Sequence, residues 1–261
     1  MIKKYFKVWL KMTIKSFQIA LLSRFGALLF IIAKFLRFIF FLIFLIIIAT
    51  KTNIISDYSI WQITFFFAIY NLVDTVPQFL LREVYRFRSY VVSGEFDYFL
   101  TKPISPLFRA LFGGADILDL PLILISIGFI IFAATKIGSV DLVNIVLFFI
   151  LIINAFLIAL AFHIAVLSVG VLTTEVDNTI MLYRDLTQMA RIPVDIYRQP
   201  LSWVLTFVIP IGIMITFPAK ALMGLLSWPF IIASFLIGLS LLLLSLKFWE
   251  FALKSYSSVS S

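Results

Sequence analysis

Five polar residues interrupt otherwise apolar stretches of this chain, and any chemistry it performs has to begin with them. Lys34 and Arg37 are three residues apart, as are Asn71 and Asp74, so on a helix each pair shares one face. His163 stands alone. A carboxylate facing a base across two apolar helices can pin them together, relay a proton or meet a charged cargo. Asp74 is expected to pair with Arg37 or Lys34, because both pairs fall toward one end of neighbouring antiparallel helices. A structural pin, or snorkelling of the two bases, is the competing reading. His163 reads as a hydrogen-bonded interior residue rather than a relay, since its own stretch holds no carboxylate near it.

Other chemistries fail on residue type. No Gly-x-x-x-x-Gly-Lys-Ser/Thr occurs, so the chain has no phosphate-binding loop for ATP. No Gly-x-Ser-x-Gly occurs, and a tight turn accounts for Gly113-Gly114. One His and zero Cys rule out a His cluster, a thiolate-bound metal and any disulfide. An intramembrane aspartyl pair needs two embedded carboxylates, and only Asp74 qualifies; Asp116, Asp119 and Asp141 lie near span ends. The sequence therefore offers no catalytic residue and no metal or cofactor site of its own.

The elements that hold these residues follow from composition. The chain has 261 residues, 63% hydrophobic and 13% charged. So few charges cannot wet the surface of a soluble particle, so most of that surface faces lipid. Thirty Phe argue against an outer-membrane barrel, whose strands alternate polar and apolar. The net charge of +8 is a topological signal rather than a nucleic-acid footprint. Spans of about 20 residues are expected near 26–50, 58–81, 116–135, 141–170, 201–217 and 229–247. The uncharged run from Leu142 is too long for one bilayer, so the helix either projects beyond the membrane or breaks near Gly170.

Sixteen Lys and Arg then fall on the N-terminal side of the membrane and three, Lys51, Lys136 and Lys220, on the other. That bias predicts both termini in the cytoplasm. Residues 1–24 read as an amphipathic interfacial helix feeding the first span, not as a cleavable signal peptide. Residues 82–115 form a cytoplasmic loop in which Gly94 and Pro103 bracket a short helix, with Phe96, Phe99 and Leu100 on one face. Residues 174–200 read as a second, solvated cytoplasmic segment. Pro210 and Gly212 should kink the fifth span, Phe217–Pro229 should form a re-entrant or interfacial helix, and the Ser-rich end from Ser255 should fray.

Two runs carry a family resemblance. They are Gly94-Glu95-Phe96-Asp97…Leu100-Thr101-Lys102-Pro103 and Arg191-Ile192-Pro193…Ile196-Tyr197…Leu205-Thr206…Ile209-Pro210…Phe217-Pro218-Ala219. In order and separation they resemble the membrane subunit of an ABC-2-type exporter. Ile192 stands where the family usually has an aromatic, and Arg198-Gln199 intervene before Pro200. The resemblance implies an all-α membrane protein of six transmembrane helices with an N-terminal elbow helix, the type V exporter fold, in a bacterial cytoplasmic membrane. It implies a homodimer or heterodimer with a related permease, driven by a separate ABC ATP-binding subunit that holds ATP and Mg. It further implies a cargo among drugs, antibiotics or lipid-like compounds. Arg82, Arg86, Arg88, Gly94, Glu95, Phe96, Asp97, Lys102 and Pro103 match the family's ATPase-coupling position, and Phe96→Asp would then uncouple hydrolysis from transport. A secondary transporter or channel needing no ATPase is the alternative; it would favour inverted repeats, which the two halves do not show.

Overall fold

A computed structural model of the chain describes residues 2–51, 58–138 and 140–257. The end of the tail beyond residue 257 lies outside the described residues. Those described are helical, with no strand among them.

Helix α1 (Ile2–Leu22) precedes α2 (Arg24–Lys51), and α3 (Ile60–Leu80) returns beside α2. A capping box starts α3: the Ser59 hydroxyl accepts from the Gln62 amide at 3.2 Å, and Gln62 Oε1 accepts from the Ser59 amide at 2.8 Å. Three short helices come next, α4 (Phe87–Val92), α5 (Phe96–Thr101) and α6 (Pro106–Leu111). Beyond them lie α7 (Leu120–Ile137) and α8 (Leu142–Thr173), with Pro121 in the first turn of α7. We call the end of the bundle that carries α4–α6 proximal and the opposite end, where α3 begins, distal.

The long run from Leu142 does not break at Gly170. Helix α8 is continuous over 32 residues and stops only at Thr174, in the left-handed conformation at φ 61°. Gly170 is needed for another reason. A Cβ there would lie 2.3 Å from the Val176 side chain, so its absence lets the next helix, α9 (Val176–Gln188), fold back on α8. Tyr183 of α9 then packs edge-on to His163 at 5.1 Å, well up α8.

This return corrects the reading of 174–200 as a solvated cytoplasmic segment. Asp177, at the start of α9, meets Arg88 at 3.4 Å at the proximal end. Farther along, Arg191 stacks over Phe41 and Tyr70 at 4.8 and 5.6 Å. Asp195 accepts from the Tyr58 hydroxyl at 2.5 Å and meets Lys220 at 2.7 Å, at the distal end. The segment therefore runs the length of the bundle. Arg191 and Asp195 find partners on other helices, whereas Asp177 and Arg88 stay more than half exposed and Asp185 lies exposed beside Gln188 of its own helix.

The next two helices do not make a full crossing. Helices α10 (Leu201–Val208) and α11 (Gly212–Leu222) are bent 79° to each other at the break that Pro210 makes, the kink expected there. Seven of their buried apolar residues, among them Leu205, Met214 and Phe217, join the distal apolar core around Phe65, Phe66 and Phe148, and none joins the proximal core around Phe87, Phe96 and Trp249. Helix α12 (Trp228–Lys254) must start distally, since Gly224 lies beside Asn144 at the start of α8 and Trp249 reaches Phe87. One crossing separates Thr173 from Trp228, and 176–196 already makes it. The α10–α11 pair is thus re-entrant from the distal side, and the expected span at 201–217 is replaced by α9 and the two short turns after it. Moving Arg184, Arg191 and Arg198 out of the proximal set of sixteen leaves thirteen Lys and Arg there, so the charge bias survives.

Candidate functional site

Two groups of residues stand out, a platform at the proximal end and a set of charges inside the bundle. The platform is braced from three sides. Helix α1 straps its flank: Lys4 Nζ donates to the Pro103 carbonyl at 2.8 Å, the Ser105 amide to the Tyr5 hydroxyl at 3.2 Å, and the Ala115 amide to Thr13 Oγ1 at 3.1 Å. The other face of α1 leaves Phe6, Leu10 and Ile14 uncovered, as an interfacial elbow helix should.

The second brace is α12. Phe96 is fully buried, with ring contacts to Phe87 at 5.1 Å, Trp249 at 6.3 Å and Tyr256 at 5.1 Å. The Tyr256 hydroxyl donates to Asp97 Oδ1 at 3.0 Å. Burial and the neighbouring Asp97 carboxylate push the Tyr256 phenol up to about 12, so it stays a donor at any physiological pH. The apolar face of α5 packs under the bundle. Phe96 and Phe99 turn inward under the bundle, and only Leu100 of that trio is exposed.

The third brace was not read from the sequence. Glu83 is 2% exposed and accepts from Arg109 Nη1 at 2.6 Å and from the Tyr90 hydroxyl at 2.8 Å. Arg86 approaches the same carboxylate at 3.9 Å. Burial and the hydrogen bond to Glu83 push the Tyr90 phenol up, which keeps it a donor. Gly113 is a close-approach position: a Cβ there would stand 1.8 Å from Glu83 Oε2. The Gly113-Gly114 pair was the one sequence signal of this hub, and it read as an ordinary turn.

With these side chains turned in, the outward face of the platform is left to Arg86, Arg88, Glu95, Tyr98, Leu100 and Lys102, all exposed. Gly94 turns the chain into α5 at φ 76°. Arg82 is not free for a partner, because its Nε meets Asp116 at 3.3 Å. A cleft of about 540 Å³ lies beside Arg86, Arg88, Val92 and Asp177.

Inside the bundle the expected pairing of Asp74 with Lys34 or Arg37 is not formed. Lys34 pairs instead with Asp119, which the short turn before α7 lifts to the level of Lys34. That buried pair has a testable energetic signature. Asp119→Ala or Lys34→Met alone should each cost about 3 kcal/mol by leaving one buried charge uncompensated, whereas Lys34→Met with Asp119→Leu should recover most of it. Thermal unfolding of the three variants in one detergent reads the difference.

Among the described residues, no ion pair within 4.0 Å involves Asp74, Arg37, Arg184 or Arg191. Asp74 lies in the combined field of Arg184, Arg37 and Arg191 without closing on any of them. Asn71 donates to the Phe67 carbonyl at 2.8 Å, within its own helix. His163 is buried with Nδ1 at 2.7 Å from the Ala159 carbonyl. No group of three or more metal-ligating side chains occurs among the described residues.

A bundle whose apolar helices leave most of α2 uncovered, with a braced platform at one end and charges at mid-depth, is a multi-pass membrane protein. The family model described as ABC-2 family transporter protein matches residues 11–260, so the chain belongs to that family, as the membrane permease component of an ABC transporter. Such a component works in general with an ABC ATP-binding partner. Comparisons with curated proteins and with solved structures returned no match.

Proposed function

We propose that this chain is the permease half of an ATP-driven exporter. Two copies, or this chain and a related permease, form the path, and an ATP-binding subunit holding ATP and Mg docks on the platform. The proximal end then faces the cytoplasm with both termini, in a bacterial inner membrane. Drugs, antibiotics or lipid-like compounds are the cargo class, and membrane lipids surround the bundle.

The observation that carries this reading is the division of α5. Phe96, Phe99 and Asp97 fasten the helix to α4, α6 and the end of α12, while Glu95, Tyr98 and Leu100 face away from the bundle. A short helix locked to a bundle-length helix on one side and exposed on the other can convert displacement of a docked subunit into movement of the path.

Affinity purification from native membranes in mild detergent, with co-purifying chains identified by mass spectrometry, tests the assembly. An ATPase with a phosphate-binding loop is expected, and a second permease would decide for the heterodimer. A clean chain with no ATPase after crosslinking would favour a secondary transporter.

A further inference from the structure

Helix α2 has 28 residues, and Arg37 is the fourteenth of them. At 1.5 Å per residue it stands about 20 Å from either end, beyond the reach of snorkelling alone. It is exposed, yet the surface around it, Phe35, Leu36 and Phe40, is apolar. Beside it Arg191 is held rigid: Nη2 donates to Gln188 at 2.9 Å, Nε to the Tyr70 hydroxyl at 3.3 Å, and its plane stacks on Phe41. Nothing in those bonds uses Nη1. Three guanidiniums, Arg37, Arg184 and Arg191, thus share the single carboxylate of Asp74, whereas Lys34 is already neutralised by Asp119. Uncompensated charge at this depth is costly, and an anion is its natural complement.

We propose that Arg37 and Arg191 form a seat for the phosphate head of an anionic amphiphile that enters from the lipid side of α2. The crevice between Arg37, Phe38, Phe41, Tyr70, Asn71 and Arg191 has a volume of about 20 Å³. That is room for one head-group oxygen, with the rest of the head outside the crevice, bridging to Arg37, and the apolar body lying along the uncovered phenylalanines of α2. The planar forks of Arg suit the terminal oxygens of a phosphate better than any neutral cargo. As a cargo site this deepens the exporter reading and rests on it; as an anion site it does not.

The test measures binding without the ATPase. The full-length chain in dodecyl maltoside is titrated with dodecyl phosphate, reading its thermal midpoint and bound adducts by native mass spectrometry. Wild type is expected to bind dodecyl phosphate and not dodecyltrimethylammonium; equal stabilisation by both overturns the proposal without any variant. Arg37→Gln should weaken binding about tenfold, the loss of one charge-assisted contact, with Arg37→Lys intermediate and Lys136→Gln unchanged. Unaltered binding in Arg37→Gln overturns the proposal, including the case where that variant changes only the oligomeric state. Competition by phosphatidylglycerol would support a lipid headgroup as the source, and displacement by inorganic phosphate would support a free phosphate. Binding that depends on Arg37 in a chain that recruits no ATPase would refute the exporter reading and leave the anion seat standing.

Discussion

Glu83→Ala is expected to cost about 3–5 kcal/mol and to leave little folded protein, although Glu83 sits in the most arginine-rich loop of the chain. The carboxylate is 2% exposed and is the shared acceptor for Arg109 and Tyr90. Removing it strands a guanidinium and a phenol beneath the platform. It also frees α6 from the turn at 82–86 and thereby loosens the surface on which a partner would stand. Glu83→Gln, which keeps an acceptor oxygen but loses the charge, should fall between the two. Gly113→Ala should be as damaging as Glu83→Ala, because the new methyl group would collide with the same carboxylate at 1.8 Å. Thermal unfolding and yield of monodisperse protein measure all three. Wild-type stability in both Glu83→Ala and Gly113→Ala would show that the platform is held by its aromatic contacts alone.

The second large effect is a contrast within one helix. Phe96→Ala removes a fully buried ring from between α4 and α12 and should cost about 3–5 kcal/mol. Phe96→Asp therefore reports on folding, not on coupling, which overturns its use as an uncoupling variant. Tyr98, 67% exposed two residues on, should behave oppositely. Tyr98→Asp should leave the stability within about 0.5 kcal/mol of wild type while abolishing ATPase recruitment or its stimulation. Glu95→Lys should do the same by reversing charge on the exposed edge. Normal recruitment by both stable variants would remove α5 from the docking surface.

The spans were legible where an uncharged run did the work. The expected bounds 26–50, 58–81, 116–135 and 229–247 lie close to Arg24–Lys51, Ile60–Leu80, Ile117–Ile137 and Trp228–Lys254. The total of six crossings was also legible, but its fifth member was assigned to the wrong segment. Hydropathy favoured 201–217, whose apolar residues in fact fill the distal core from one side. It passed over 176–196, whose Asp177, Arg184, Asp185, Arg191 and Asp195 suggested water. Two of these acids have partners at least 25 positions away in sequence, Asp177 with Arg88 and Asp195 with Lys220 and Tyr58. The same distance hid the Lys34–Asp119 pair: matching helix depths nominated Asp74, and only the turn before α7 shows that Asp119 stands higher.

The polar crossing also bears on how the protein enters its membrane. A thirteen-residue helix carrying Asp177, Arg184 and Asp185 is too short and too charged to partition from the insertion machinery into lipid on its own. Its neighbours are α8, the turn at 82–86 and α4, which precede it in the chain, while the turns that continue it to Ile196 pack on α3 and on the distal α10–α11 pair. Membrane integration of this segment is consequently expected to depend on tertiary contacts, made first with α8 and completed by the elements that follow it. A truncation ending after α9 is expected to leave that helix at the membrane surface, which protease accessibility of the truncated chain would detect, so full integration needs the residues that follow α9.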